Sequence, residues 1–482
     1  MNLKPYPEYK DSGVAWLGDV PKHWEIVSGM AVIFEKQVKN TGMKENTVLS
    51  LSYGRIVIKS QDKLHGLVPE SFETYQIVEP GDIIIRSTDL QNDWTSLRVG
   101  KVKNKGIITS AYLCLKVKGN LNGEFVYWLL HGFDLMKVFY GMGSGLRQNL
   151  SWIDFKRMPM VIPTEAEQTT VAQFLYHKTA QIARFIKAKK RMIELLKEQK
   201  QVIINDAVAG KIVIKDEGGR LKAEKRPDSS FRPHPSSFLQ TVPEGWEVRR
   251  LRTIATVKPS GVDKKSHEGE LPVQLCNYVD VYKNQEINSS LNFMKATATP
   301  EEIKNFTLIH GDIIITKDSE TWDDIAVPAI VTENMDVICA YHLALIRTTT
   351  QEITNKYLYR AISADPIADH FRVSANGVTR FGLSQGAIKD VPIPIPSIQE
   401  QSQIVSYIET KTAAIGKAIS RTEREIALMQ EYRTRLISDV VTGKIDVRDI
   451  KIPDVAGIDD TLDESIDEPE GEEELETTEA EE

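Results

Sequence analysis

Two long stretches of the chain carry the same spacing of apolar positions. In the first, Val171, Leu175, Ile182, Ile186, Ile193, Leu196 and Ile203 are separated by steps of 4, 7, 4, 7, 3 and 7. In the second, 233 residues later, Ile404, Ile408, Ile415, Ile419, Ile426, Met429 and Leu436 repeat those steps without exception. Steps of three, four and seven keep one face of an α-helix apolar, so each stretch predicts one long helix. A continuous helix from Thr164 to Asp206 would measure about 65 Å at 1.5 Å per residue. A stripe that long exceeds what a compact domain covers, and its natural partner is its own repeat, as an antiparallel coiled coil. Gly210 and Gly443 lie just beyond the two stretches and suit C-terminal caps.

The segment ahead of each helix reads as short strands between Gly-, Pro- and Asn-containing turns. In the first half these are 48–51, 56–59, 83–86, 107–110 and 113–117, followed by a helix over 125–140. In the second half they are 273–276, 313–316 and 337–345, followed by a helix near 356–371. The duplication extends to single residues. Arg147, Leu150 and Ser151 return as Arg380, Leu383 and Ser384, Glu167-Gln168 as Glu400-Gln401, and Gly210-Lys211-Ile212 as Gly443-Lys444-Ile445. With a drifting offset, Val20-Pro21 and Trp24 match Val242-Pro243 and Trp246, and 81–85 match 311–315.

The expected fold class is therefore α+β: two mixed α/β domains related by internal pseudo-twofold symmetry and separated by two long antiparallel coiled-coil helices. The expected boundaries are a first domain over 1–163, a central helix over 164–209 and a linker over 210–240. A second domain then covers 241–396, a C-terminal helix 397–442 and an acidic disordered tail 443–482. At 482 residues more than one core is required.

Charge and cysteine usage narrow the function. The net charge of −8 conceals a division: residues 454–482 contain 15 Asp and Glu and no Lys or Arg. The remainder holds 60 basic against 53 acidic residues and is mildly basic. The three cysteines, Cys114, Cys276 and Cys339, are far apart, which argues against a disulfide framework or a zinc site and fits a reducing cytoplasm. No apolar run approaches a membrane span, and the N-terminus has no apolar core of a secretory signal.

Catalytic patterns are missing. Gly141, Gly143 and Gly145 lack the dinucleotide spacing, and Gly210-Lys211 lacks the rest of a phosphate loop. Asp82 and Asp312 open apolar strands that end near Arg86 and Lys317, a faint echo of a nuclease core, but Ile315 occupies the position where its second acid belongs. The chain reads as non-catalytic, with no cofactor or metal of its own.

Two related domains on a basic body suit a ligand with two separated sub-sites, for which duplex DNA is the natural candidate. Candidate DNA-binding residues are Arg86, Ser87, Lys101, Lys103, Arg147, Gln148 and Asn149 in the first half, and Lys317, Ser319, Arg380 and Ser384 in the second. Arg suits guanine edges, Asn and Gln suit adenine, and Lys neutralises phosphate.

These residues also carry a family resemblance. Tyr9-Lys10-Asp11-Ser12-Gly13, Trp16-Leu17-Gly18 and Val20-Pro21-Lys22-His23-Trp24 resemble the start of type I restriction–modification specificity (S) subunits. The Gly-Asp-Ile-Ile-Ile strands are similar to theirs, as is the run Gly143, Arg147, Leu150-Ser151, Ile162-Pro163, Glu167-Gln168 and its second copy, Gly377, Arg380, Leu383-Ser384, Ile395-Pro396, Glu400-Gln401. The resemblance covers about residues 1–445; Ala387, standing where the first copy has Asp154, departs from it. It implies that each domain reads one half of a bipartite DNA target. It implies that the helices act as a ruler for the unread spacer and dock two adenine-N6 methyltransferase subunits and the translocating endonuclease subunits. S-adenosylmethionine, ATP and Mg²⁺ would then belong to those partners. The alternatives are a recognition subunit whose partner fuses methyltransferase and nuclease, and a coiled-coil scaffold that never touches DNA.

Overall fold

A computed structural model describes residues 3–59, 71–142, 148–218, 220–236 and 238–452. The chain forms two compact units: residues up to Arg191 together with those from Thr422 onward, and Met192–Arg421. Each is mixed α and β.

Unit 1 is built on a four-stranded antiparallel sheet in the order Ile33–Glu35, Leu113–Val117, Ile83–Ile85, Val99–Lys101. Unit 2 repeats that order in Ala255–Pro259, Leu343–Thr348, Ile313–Thr316 and Pro328–Val331, and adds Glu286–Ile287 at the edge. The Ile-Ile-Ile strand is fully buried in both, as a continuous apolar run in a central strand must be. A second antiparallel pair recurs with the same register: Glu25 opposite Ile162 in unit 1 and Glu247 opposite Ile395 in unit 2. The helices expected after the strands are present with altered limits. The first spans Gly123–Leu135 and stops before Lys137, which turns left-handed at φ 59°. The second is broken into Asn355–Ile362 and Asp365–Ser374, because Pro366 opens a new helix rather than continuing one. The strand expected over 337–345 is likewise interrupted, where His342 takes φ 68°.

The two long helices are Glu165–Val208 and Ile398–Val441, each of 44 residues. In unit 1, Val171, Leu175, Ile182 and Ile186 of the first helix share a core with Leu436, Ile437, Val440 and Val441 of the second. In unit 2, Ile204, Ala207 and Val208 of the first helix share a core with Ile404, Val405 and Ile408 of the second. In each unit the start of one helix thus packs with the end of the other, the contact order of an antiparallel pair. Ile193, Leu196, Ile203, Ile419, Ile426 and Met429 are only half-buried, whereas Ile415 is buried. Ile204 rather than Ile203 reaches the core, because a strict seven-residue repeat drifts about 20° per heptad around a straight helix.

The ends of the helices explain the repeated Gly-Lys-Ile and Val-Pro-x-x-Trp motifs. Gly443, at φ +77°, lies against Pro21 and Trp24 of unit 1, and a Cβ there would stand 2.3 Å from the Pro21 ring. Gly210, at φ +68°, lies against Pro243 and Trp246 of unit 2 in the same manner, with 2.4 Å to the Pro243 ring. The helix Glu165–Val208 thus ends on the N-terminal segment of unit 2, and the helix Ile398–Val441 on that of unit 1. Residues expected as a linker contain a hairpin, Ile212–Glu217 with Arg220–Lys225, whose second strand alternates charged and apolar positions over Arg220–Glu224. The described start of the expected tail is ordered into unit 1, where Val447 is buried and Asp446 bridges Lys4. Residues 453–482 lie outside the described residues. Among the described residues no helix is long and apolar enough to cross a membrane, and no group of three or more His, Cys, Asp or Glu could hold a metal ion.

Candidate nucleic-acid interface

The buried Ile-Ile-Ile strand delivers its following loop to one place in each unit, and the repeated Arg-x-x-Leu-Ser segment meets it there. In unit 1 the Leu150 N–H donates to the Ser87 carbonyl at 2.7 Å. In unit 2 the Leu383 N–H donates to the Lys317 carbonyl, the equivalent position, at 2.8 Å. The same backbone bond, made by the same pair of motifs, builds one loop cluster per unit.

The other repeated residues hold this scaffold. Gln168 is buried, accepts from the Asn122 N–H at 2.9 Å and donates to the Pro163 carbonyl at 3.0 Å. Gln401 does the same with the Thr354 N–H at 2.8 Å and the Pro396 carbonyl at 3.0 Å. Each clasps the start of its long helix to the N-cap of an earlier helix, Gly123–Leu135 in unit 1 and Asn355–Ile362 in unit 2. Glu400 takes the Trp246 indole N–H at 2.9 Å and Arg226 at 2.7 Å. Glu167 takes His23 at 2.9 Å; burial opposes its ionisation, but the bonds from His23 and Thr164 hold its carboxyl below the usual range. Asp82 and Asp312 close the turns before their strands, accepting from the Glu79 N–H and the Ile309 N–H at 2.8 and 2.9 Å. Their charges are met by Lys36 at 2.6 Å and by Arg347 through two 2.7 Å bonds. Both acids thus anchor the turns ahead of their strands.

Within the clusters the candidate residues differ in availability. Arg86 is partly exposed and lies 3.6 Å from Asp93. Ser87 is buried and donates to the Ala111 carbonyl at 2.9 Å, so it braces the loop. Asn149 is exposed and accepts from the Asp89 N–H at 3.1 Å, while Gln148 turns left-handed at φ 48°. Arg147 lies outside the described residues. Lys101 pairs with Glu124, and with exposed Lys103 it stands at the opposite end of the strand pair, since Lys101 faces Ile83 while Arg86 follows Ile85.

In unit 2, Lys317 and His342 both bind Asp318, the latter at 2.7 Å. Burial opposes the charge on Asp318, but the Lys317 and His342 bonds hold its carboxyl below the ordinary value. Asp318 and Ser319 pair in antiparallel register with Gly382 and Phe381. Ser319 is buried beneath this pair, 3.4 Å from the Tyr278 hydroxyl. Arg380 is exposed, 3.6 Å from Glu320. Ser384 caps the helix Gln385–Asp390, accepting from the Ala387 N–H at 3.1 Å.

Sequence reasoning missed the brace of the first cluster. Arg98 is wholly buried, and its guanidinium donates to the carbonyls of Arg86, Thr88, Asp89 and Asp93 at 3.3, 2.7, 3.2 and 2.7 Å and to the Tyr140 hydroxyl at 3.1 Å. Trp94 and Trp322 were also missed. A tryptophan among polar residues, in the loop after each Ile-Ile-Ile strand, was the available signal.

Comparison with known proteins accords with this architecture. Residues 243–422 match the Type I restriction modification DNA specificity domain. The EcoBI type I restriction enzyme specificity subunit of Escherichia coli is 22% identical over 329 residues, covering 67% of this chain and 66% of that protein. The putative MjaX specificity subunit of Methanocaldococcus jannaschii is 23% identical over 177 residues, 36% of this chain and 41% of its own length. The chain thus spans about two thirds or less of the length of these curated relatives. A solved chain from work on complex assembly and conformational transition of the type I R-M system superposes with a TM-score of 0.56 at 12% identity, over 88% of this chain and 98% of that one. With the fold shared and the motifs duplicated, this chain is similar to the type I restriction–modification specificity subunits.

Proposed function

We propose that this chain is the non-catalytic recognition subunit that reads a bipartite DNA target, one half per unit. The observation that carries the reading is the pairing of a repeated scaffold with unlike loops. The Ser87–Leu150 and Lys317–Leu383 bonds are equivalent, yet Arg98 and Tyr140 brace one loop whereas Lys317, Asp318 and His342 brace the other. Equivalent platforms with different side chains suit two different half-sites. The paired helices act as the ruler for the unread spacer and as the dock for two adenine-N6 methyltransferase subunits and for the endonuclease subunits. S-adenosylmethionine, ATP and Mg²⁺ are used by those partners, and the cytoplasm is where they meet DNA.

The test is co-expression of this chain with its neighbouring methyltransferase in a methylation-free host, followed by mapping of N6-methyladenine. A single split motif with an unread gap is the expected result. A stable complex containing intact methyltransferase but leaving no methylation mark would overturn the reading in favour of a scaffold.

A further inference from the structure

Trp94 is 56% exposed, on the loop that joins the strands Ile83–Ile85 and Val99–Lys101. Nothing about folding requires a large aromatic side chain to be presented to water there. Its position is nonetheless fixed. One face of the indole stacks on Tyr140, with ring centroids 4.6 Å apart and planes 25° apart. The indole N–H is consumed by the Gln91 carbonyl at 3.1 Å. The backbone beneath is held by Arg98, which binds four loop carbonyls and the same Tyr140. What remains available is an apolar π-face on a rigid support.

Unit 2 presents Trp322, 57% exposed, on the equivalent loop between Ile313–Thr316 and Pro328–Val331. That loop is anchored by Thr316, whose hydroxyl accepts from the Val327 N–H at 2.9 Å and donates to the Asp324 carbonyl at 3.3 Å. Trp322 has no ring partner among the described residues. Glu320, Asp323 and Asp324 flank it. Carboxylates repel phosphate and, in the major groove, accept hydrogen bonds only from cytosine or adenine amino groups. A loop of this composition suits base edges rather than the phosphate backbone, and an exposed indole face adds apolar contact with a thymine methyl or stacking on an unstacked base.

We propose that Trp94 and Trp322 are specificity-determining residues, each contacting bases of one half-site, and that Arg98 is the positioning residue for the first. This rests on the DNA-recognition reading above. The experiment uses the complex of the full chain with its methyltransferase and duplexes carrying the mapped target or either half-site scrambled. Binding is measured by fluorescence anisotropy and methylation at each half by sequencing. Trp94→Ala is expected to weaken target binding about tenfold, in the range of one lost aromatic–base contact, and to relax sequence preference in one half only. Trp322→Ala should relax the other half. Trp94→Phe should retain most of the affinity, because the indole N–H is already committed within the loop. Thermal melting, which loss of the Trp94–Tyr140 stack should lower only slightly, separates contact from misfolding. Unaltered binding and methylation by both alanine variants, or relaxation of the same half by both, would overturn the proposal while leaving DNA recognition intact. Failure of the wild-type complex to bind duplex DNA would overturn both readings.

Discussion

The two units share their skeleton and differ in their braces. The Gln clasp, the turn-closing Asp and the Leu-to-loop backbone bond occur in both, atom for atom. The charges met behind the loops do not correspond. Unit 1 buries a whole guanidinium, Arg98, beside the buried carboxyl of Asp134. Unit 2 places a half-buried Lys317–Asp318–His342 group at the loop itself. The duplication has thus been kept where backbone bonds join elements and released where side chains shape the loop surface. That is the division expected when the scaffold must persist while the presented surface changes.

The sharpest way to break the equivalence is at the two helix ends. Gly443→Ala and Gly210→Ala each force a Cβ into a proline ring from a left-handed backbone. Each should cost roughly 2–4 kcal/mol, combining conformational strain with a steric clash that the rings cannot avoid. If the units are equivalent, the losses will be similar, with Gly443→Ala acting on the unit containing Trp24 and Gly210→Ala on the unit containing Trp246. Hydrogen exchange resolved along the chain checks this. Destabilisation of the same unit by both variants would show that the two helix ends are not equivalent contacts.

The next largest effect is an asymmetry. Burial pushes the Asp134 carboxyl up to about 6, against the opposing bonds and charges of Arg98 and Lys137. One of its oxygens has no hydrogen-bond partner among the described residues, and the other accepts from the Arg98 N–H. The folded chain therefore keeps a proton between about pH 4 and pH 6 that the unfolded chain releases, so stability from this group falls as pH rises through that window. The change amounts to roughly 2–3 kcal/mol. Asp134→Asn cannot lose a proton and should flatten that part of the denaturation profile, in unit 1 alone. In unit 2 the buried carboxylate Asp312 is paired with Arg347, and Asp312→Asn should leave Arg347 without its charge partner. An unchanged pH slope in Asp134→Asn would refute the assignment.

Much of the skeleton was legible because it is periodic or repeated. The helix stripe showed as steps of three, four and seven, and the central strand as three consecutive isoleucines. The duplicated Glu-Gln and Gly-Lys-Ile motifs marked positions that matter without showing why; their roles as clasp and helix end depend on partners more than 30 residues away in the chain. The loop cluster was harder to read. Ser87 and Ser319 look like surface hydroxyls in sequence but are buried, and Lys101 looks like a phosphate ligand but pairs with Glu124. Arg98 sits between apolar neighbours and shows no pattern at all, because an arginine satisfied by backbone carbonyls leaves no partner motif in the sequence. The hairpin over 212–225 was obscured by the charged residues of its turn and second strand, which resemble a linker when the period of two in Arg220–Glu224 is overlooked.

The smallest predicted effect lies where the second copy departs from the first. In unit 1, Asp154 accepts from both the Ser151 N–H at 2.8 Å and its hydroxyl at 2.9 Å, closing the cap of Trp152–Arg157 from the third position. In unit 2 that position is Ala387, and Ser384 caps alone by accepting the Ala387 N–H. The Ser384 N–H has lost the acceptor that its counterpart has. Ser384→Ala should cost about 1 kcal/mol, the ordinary worth of an N-cap hydroxyl. Ala387→Asp should recover part of a reciprocal cap and favour the positive end of the helix, a gain of about 0.5 kcal/mol reduced by the apolar packing the alanine gives up. Denaturant unfolding of the two variants and their double mutant decides the matter. If the aspartate stabilises equally with and without Ser384, it acts through the helix dipole and not through the cap; if its benefit vanishes in Ser384→Ala, the two units share one capping design from which Ala387 has drifted.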